Sequence, residues 1–159
     1  MSPLPKHLRP RWRYLGVGIE TWPDADLSRG SFQREVWYAA QNLFGDAGSA
    51  DADLTVMDFE FGDGEGETIV RARREEVGPA RAALACVDEV DGHPVGLRVR
   101  GVSGTKRACE ERYLGRRAGH TEERSVVFEN DSRTAVARRG LLDVRGPGAF
   151  TGATELDFE

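Results

Sequence analysis

Leu15, Val17 and Ile19 alternate with Tyr14, Gly16 and Gly18 in RWRYLGVGIE, the period-two pattern of a strand with one buried face. Trp12 and Tyr14 then fall on its other face. After the turn-rich WPDADLSRG, Ser31 is placed to cap a helix in which Phe32, Val36, Ala40 and Leu43 recur, with Trp37 and Phe44 beside them. Gly45 and the small, acidic GDAGSADAD are expected to end that helix. DLTVMDFEFGDGEGETIVRARREE reads as two strands joined at GDGEG, with Met57, Phe59 and Phe61 inward on the first and Val70 and Ala72 inward on the second. In VGPARAALACVDEVDG, Pro79 stands at the first helical position, Ala80, Ala83, Leu84, Val87 and Val90 form an apolar stripe, and Gly92 is the stop. PVGLRVRGV alternates again, with Val95, Leu97 and Val99 inward and Arg98 and Arg100 outward. SGTKRACEERYLGRR opens a further helix, capped by Ser103 or Thr105.

Strand, helix, strand, strand, helix, strand is the split βαβ order, so the pattern predicts an α+β fold: a ferredoxin-like (RRM-like) βαββαβ sandwich with an extra C-terminal helix and an appended tail. Residues 1–117 make up that domain, with 1–13 as its N-terminal arm. Residues 118–159 form a C-terminal extension in which HTEERSVVFEN can supply one strand and the rest carries no core spacing. Two helices cover only one face of such a sheet. The other face would present Trp12, Tyr14, Arg71, Arg73, Arg98 and Arg100, a set that suits stacking and neutralising single-stranded RNA and equally suits a protein interface.

Composition adds a contrast. The 159 residues carry a net charge of -5, and Lys6 and Lys106 are the only lysines. Dense carboxylates with so little lysine resemble a surface built to stay hydrated in brine. Yet the first fourteen residues hold Lys6, Arg9, Arg11 and Arg13 and no acid. No apolar run is long enough to span a membrane and no signal-peptide core follows the basic start, so a cytoplasmic location is expected. Cys86 and Cys109, in segments that read as helical, are expected to be reduced thiols, and His7, His93 and His120 show no paired ligand spacing, so no metal site is expected on this chain.

RVRGVSGTKRACEERYLGRR is the stretch richest in chemistry. Gly101, Ser103, Gly104 and Thr105 let a strand turn sharply into a helix, leaving backbone N–H groups and two hydroxyls at a positive helix end. Lys106 and Arg107 stand in the first turn, where cations oppose the helix dipole unless an anion docks. The turn also reads as an ordinary Gly-rich cap, and it lacks the GK[ST] ending of a nucleotide-binding loop. No nucleophile elbow, HExxH or Ser/His/Asp set is present, so no catalytic residue is assigned. Acylphosphatases share the strand order, but the loop after the first strand is the acidic ETWPDAD, where a phosphate cradle is required.

PKHLRPRWRYL, FQREVWYAAQNLFG, RARREEVGPARAALACVDEVDG and LRVRGVSGTKRACEERYL together resemble the archaeal ribonuclease P protein component 2 family, over residues 4–117. GVSGT followed by a basic pair at the end of the last strand is the specific part. Against the family pattern the chain is acidic and lysine-poor, has one residue fewer between Thr105 and the basic pair, and carries the extension. The resemblance implies a protein subunit of the ribonucleoprotein that removes the 5′ leader from precursor tRNA. It implies an RNA active site served by magnesium ions, with no cofactor held by this chain. It implies as partners the ribonuclease P RNA, precursor tRNA indirectly, the TIM-barrel protein component 3 and other protein subunits, with a homodimer inside a heterotetramer. Lys6, Arg9, Arg11 and Arg13 would run along RNA, and Ser103, Gly104, Thr105, Lys106 and Arg107 would offer a second phosphate contact. An RNA-binding module of ribosome assembly and a ligand-binding regulatory module are the rival readings of the same pattern.

Overall fold

The computed structural model describes residues 5, 8, 9, 11–115, 122–128, 131–138, 141–146 and 150–153. Lys6, His7 and His120 lie outside the described residues. In chain order the elements are β1 (Trp12–Glu20), α1 (Arg29–Ala52), β2 (Thr55–Gly62), β3 (Glu65–Arg73), α2 (Val77–Ala85), β4 (Glu89–Val90), β5 (His93–Pro94), β6 (Gly96–Ser103), α3 (Lys106–Tyr113), β7 (Glu122–Phe128), β8 (Asp131–Arg138), β9 (Leu141–Arg145) and β10 (Phe150–Ala153). The fold is mixed α/β, with an antiparallel sheet ordered β2-β3-β1-β6 and a second ordered β10-β9-β8-β7.

The alternation in β1 sets the core. Leu15, Val17 and Ile19 are buried with Val70 and Ala72 of β3 against Phe32, Val36 and Ala40 of α1 and Ala80, Ala83 and Leu84 of α2. Burying each of the larger apolar side chains contributes roughly 1.5–3 kcal/mol. Side chains of α1 also satisfy the backbone where β2 begins: Gln33 Nε2 donates to the Leu54 carbonyl and its Oε1 accepts from Val56 N–H, while Trp37 Nε1 donates to Leu54 O at 2.7 Å. Arg29 closes the row by donating to Val56 O.

Several local expectations shift. Ser28, not Ser31, caps α1; its backbone is extended and its hydroxyl accepts from Ser31 N–H at 3.2 Å. Gly45 kinks α1 rather than ending it: at φ 74° it breaks the helical path, after which the chain turns helical again as far as Ala52, and Asp53 closes it in the left-handed region. Met57 does not face the core. Asp58 at φ 45° makes a bulge between Met57 and Glu60, so Val56 pairs with Val70 inward, Met57 lies across from Ile69 on the opposite face, and Phe59 and Phe61 return to the core side. The stripe continuing to Val90 is not one helix: α2 stops at Ala85, and Val90 is buried from a short hairpin turning through Asp91 (φ 51°) and Gly92 (φ 80°). Val87 stays buried beyond the helix end, so the helical spacing of apolar residues runs past α2.

Where one strand was expected in the extension, four form a meander around Ala135, Leu142 and Val144. This second sheet docks through a buried cation. Arg138 donates to the carbonyls of Thr21 and Gly64 and to Asp143 (3.2 Å), with Glu65 4.0 Å away. Gly64, at φ 79°, makes the approach feasible, because a Cβ there would stand 3.0 Å from both the Arg138 guanidinium and the Thr21 carbonyl. Arg145 adds an exposed pair with Asp24 and lies 5.3 Å from the Trp22 ring centroid.

The helix after β6 lies across the face of the first sheet opposite α1 and α2. Tyr113 rests on Gly16 and Gly101, which face each other on neighbouring strands. A methyl on Gly16 would come within 2.5 Å of Tyr113 Cβ, and one on Gly101 would overlap the ring. Gly101→Ala should therefore destabilise the fold by about 1–3 kcal/mol through overpacking. Cysteine labelling checks the cause as well as the cost. Cys109 is buried in α3 with its thiol pushed up to about 11 by burial, whereas Cys86 is exposed. Labelling of Cys109 should accelerate in Gly101→Ala while Cys86 reacts alike in both proteins; unchanged Cys109 protection would mean that α3 does not depend on this contact.

Candidate nucleic-acid interface

Strand register brings the predicted site residues to one end of the first sheet and separates others from them. Tyr14 pairs with Arg71 on one side and Ser103 on the other, and Trp12 pairs with Arg73, so these side chains share the face on which α3 lies. The Arg71 guanidinium stacks 3.9 Å from the Trp12 ring centroid and that of Arg73 lies at 5.2 Å. Arg73 also reaches Asp53 at 3.9 Å, a half-exposed pair of little energetic weight.

The arm enters here. Arg11 is exposed and its carbonyl accepts from Arg74 N–H at 2.9 Å, which carries the β1–β3 pairing one step beyond Trp12. Arg9 is exposed as well. Arg13 hydrogen-bonds the Trp12 carbonyl and brings its guanidinium within 3.9 Å of where a Gly104 Cβ would stand. The arm and the GVSGT turn, ninety residues apart in the chain, are thus neighbours. Thr105, extended at φ -134°, is the N-cap of α3 and accepts from Ala108 N–H. Ser103 is buried, and its hydroxyl has no hydrogen-bond partner.

Two predicted cations are already engaged. Lys106 Nζ stands 3.0 Å from Asp58 and 3.4 Å from Glu110, and Asp58 chiefly raises its pKa. Arg107 is exposed and pairs with Glu111 one turn along. At the other end of the sheet Arg100 is turned inward: it donates to Glu67 at 2.6 Å and to the Tyr113 carbonyl at 2.7 Å, and so fastens the end of α3 rather than facing a ligand. Arg98 is exposed beside Glu20 and Glu65, at the rim of a cavity of about 240 Å³ that Leu141 of the second sheet also lines. The six residues expected on the open face therefore divide: Trp12, Tyr14, Arg71 and Arg73 belong with the arm, and Arg98 and Arg100 with the acidic end. Sequence reasoning did not assign a role to Arg74 or Asp58; the first is another charge in RARREE, and the second needed the bulge to be seen.

One end of the sheet thus gathers arginines, an aromatic ring stacked by guanidinium groups and a helix N-terminus on a mixed α/β fold, a combination that suits contact with a nucleic-acid backbone. Residues 13–114 match the model of the Rpp14/Pop5 family, and the chain belongs to that family. It is 62% identical over 159 residues, the whole of both chains, to Ribonuclease P protein component 2 of Halorubrum lacusprofundi, and 61% identical to that of Haloarcula marismortui over 99% of each. The protein of the same name from Methanosarcina mazei is 34% identical across 72% of this chain and 93% of its own. A chain in a yeast ribonuclease MRP structure is similar at a TM-score of 0.47 and 12% identity, covering 63% of this chain and 79% of its own. The second sheet lies beyond the matched family residues, whereas the two halophilic relatives align along its full length.

Hydrogen bonding with Glu110, together with the Lys106 ammonium, holds the Asp58 carboxyl below its ordinary value of 3.8. A depressed folded-state pKa contributes stability that is present above 3.8 and lost as pH falls through the folded value. Acid titration of unfolding should therefore be less steep below that pH in Asp58→Asn than in the parent protein; identical acid limbs would show that the bulge carboxylate adds nothing to the docking of α3.

Proposed function

We propose that this chain serves ribonuclease P by lending the arginine-bearing end of its first sheet to the catalytic RNA. It is a protein subunit of ribonuclease P, the enzyme that removes the 5′ leader from precursor tRNA, as its full-length relatives named for that enzyme indicate. We read the first sheet with α1, α2 and α3 as a ferredoxin-like sandwich covering residues 1–117, and residues 118–159 as a separate extension; the order β2-β3-β1-β6 supports the first assignment. The observation that carries the RNA reading is the convergence of Arg11, Arg13, Trp12, Arg71 and Arg73 on one end of a chain with net charge -5. Local positive charge retained against an acidic background is what an RNA contact requires.

Chemistry then belongs to the RNA, with magnesium ions at its active site, and this chain holds no cofactor. Protein component 3 is the expected partner, joined through a homodimer of this chain into a heterotetramer. Support for a protein contact comes from α1, where the large apolar side chains of Trp37, Tyr38, Leu43 and Phe44 stand exposed, Trp37 at 48% and Tyr38 at 51%. Among the described residues no helix is long and apolar enough to cross a membrane, and the complex is expected to work in the cytoplasm.

Precursor-tRNA cleavage by the ribonuclease P RNA with protein component 3, at fixed moderate magnesium, should accelerate when this chain is added. Changing Arg9, Arg11 and Arg13 together to Ala should remove most of that gain and lower the slope of log affinity against log salt by about 2 to 3. No acceleration under high potassium chloride would favour the ribosome-assembly or regulatory reading.

A further inference from the structure

Among the described residues, five buried side-chain polar atoms have no hydrogen-bond partner: Arg71 Nε, Arg73 Nε, Ser103 Oγ, Arg133 Nε and Arg138 Nε. Buried donors are nearly always paired, so each exception needs a reason. Three of the five lie together. Arg71 and Ser103 flank Tyr14 on adjacent strands, a separation of two strand spacings or roughly 10 Å. Arg73 sits one pair further along beside Trp12. Ser103 is 94% buried (6% exposed) under the first turn of α3, an eight-residue helix whose first amides, those of Lys106 and Arg107, are left over once Thr105 has capped Ala108.

Every unmatched group in this patch is a donor or a hydroxyl able to donate, and none is a carboxylate. An acceptor-rich, anionic ligand is what would complete them. Trp12 and Tyr14 supply flat aromatic surface between the two anchor points, and the exposed Arg9 and Arg11 and the half-buried Arg13 approach from the arm. The Lys106 ammonium is held by two carboxylates, so the anchor at α3 works through hydrogen bonds and not through that charge.

We propose that this patch is a single-stranded RNA site: one backbone phosphate is taken by the Arg71 and Arg73 guanidinium groups, a neighbouring one by the Ser103 hydroxyl and the first amides of α3, and the intervening nucleotide lies over Tyr14 and Trp12. The proposal rests on the ribonuclease P reading and deepens it. Directional hydrogen bonds from Arg and Ser survive salt that screens bare charge, so this site supplies the salt-resistant part of the affinity while the arm supplies the salt-sensitive part.

Titrating the ribonuclease P RNA into the full chain at about 0.5 M and about 3 M potassium chloride separates the two contributions. Arg71→Lys keeps the charge and loses the fork, and should weaken binding roughly tenfold by the same factor at both salts. Ser103→Ala removes only an unpartnered hydroxyl, so it should leave thermal stability unchanged or raised while weakening RNA binding several-fold, a combination that a structural role for Ser103 cannot produce. The triple arm variant should instead lose much more at the lower salt. If Arg71→Lys and Ser103→Ala bind the RNA like the parent chain, the site is overturned and the arm reading stands. If the parent chain itself does not bind, the ribonuclease P reading falls too. Loss of inorganic-phosphate binding in the variants, with RNA binding intact, would assign the patch to a free anion and also overturn the proposal.

Discussion

Tyr113 lying on two glycines is the contact on which the rest of this molecule depends. Gly16 and Gly101 remove the side chains that would hold α3 off the sheet, and Arg100 fixes the helix end by bridging the Tyr113 carbonyl and Glu67. A sheet face that could have been open from end to end is thereby closed in its middle. What remains is an arginine-bearing end beside the arm and an acidic end where the second sheet attaches. Because α3 must reach Tyr113 over that glycine floor, its N-terminus is left next to Ser103 and Arg13.

Charge is segregated by the same arrangement. Toward the arm the guanidinium groups of Arg71 and Arg73 stack on Trp12, with Asp53 the carboxylate that reaches Arg73; toward the other end Glu20, Glu65 and Glu67 surround Arg98, Arg100 and Arg138. Two arginines of the acidic end are spent internally, Arg100 on α3 and Arg138 on joining the two sheets, while Arg98 stays exposed. Arg138 is almost wholly buried among two carbonyls and two carboxylates, and removal of such a cation would strand them without compensation. The same residue type thus does opposite work at the two ends, and exposure decides which.

For an acidic, lysine-poor chain whose full-length relatives come from halophilic archaea, this division has a physical logic. Counterion release loses its force as ionic strength rises, so a protein in brine gains little from scattered surface lysines. Forked arginine hydrogen bonds, aromatic stacking and amides at a helix end keep their geometry. The full-length relatives come from halophilic archaea, and the lysine-poor composition fits the same demand.

The chain's own alphabet determined the main elements and their faces: alternation in RWRYLGVGIE and PVGLRVRGV placed Leu15, Val17, Leu97 and Val99 inward, because a pleated strand has only two sides. It also determined that GVSGT would turn into a helix and that the arm would be basic. Local pattern could not place what depends on a single backbone excursion. Asp58 in the left-handed region put Met57 and Phe59 on opposite faces, and Gly45 kinked a helix it was expected to end. Nor could it show that Arg98 and Arg100 part from Arg71 and Arg73, since all four alternate identically in sequence and only strand pairing and the path of α3 decide which guanidinium meets a carboxylate. The meander of the extension was the least legible, because its core is three small or medium side chains and its anchor is a buried arginine, which in sequence looks like any surface charge. Sequence sets the side each residue takes within its own element; the distances between elements, which turn a list of arginines into a site, exist only once the chain has closed.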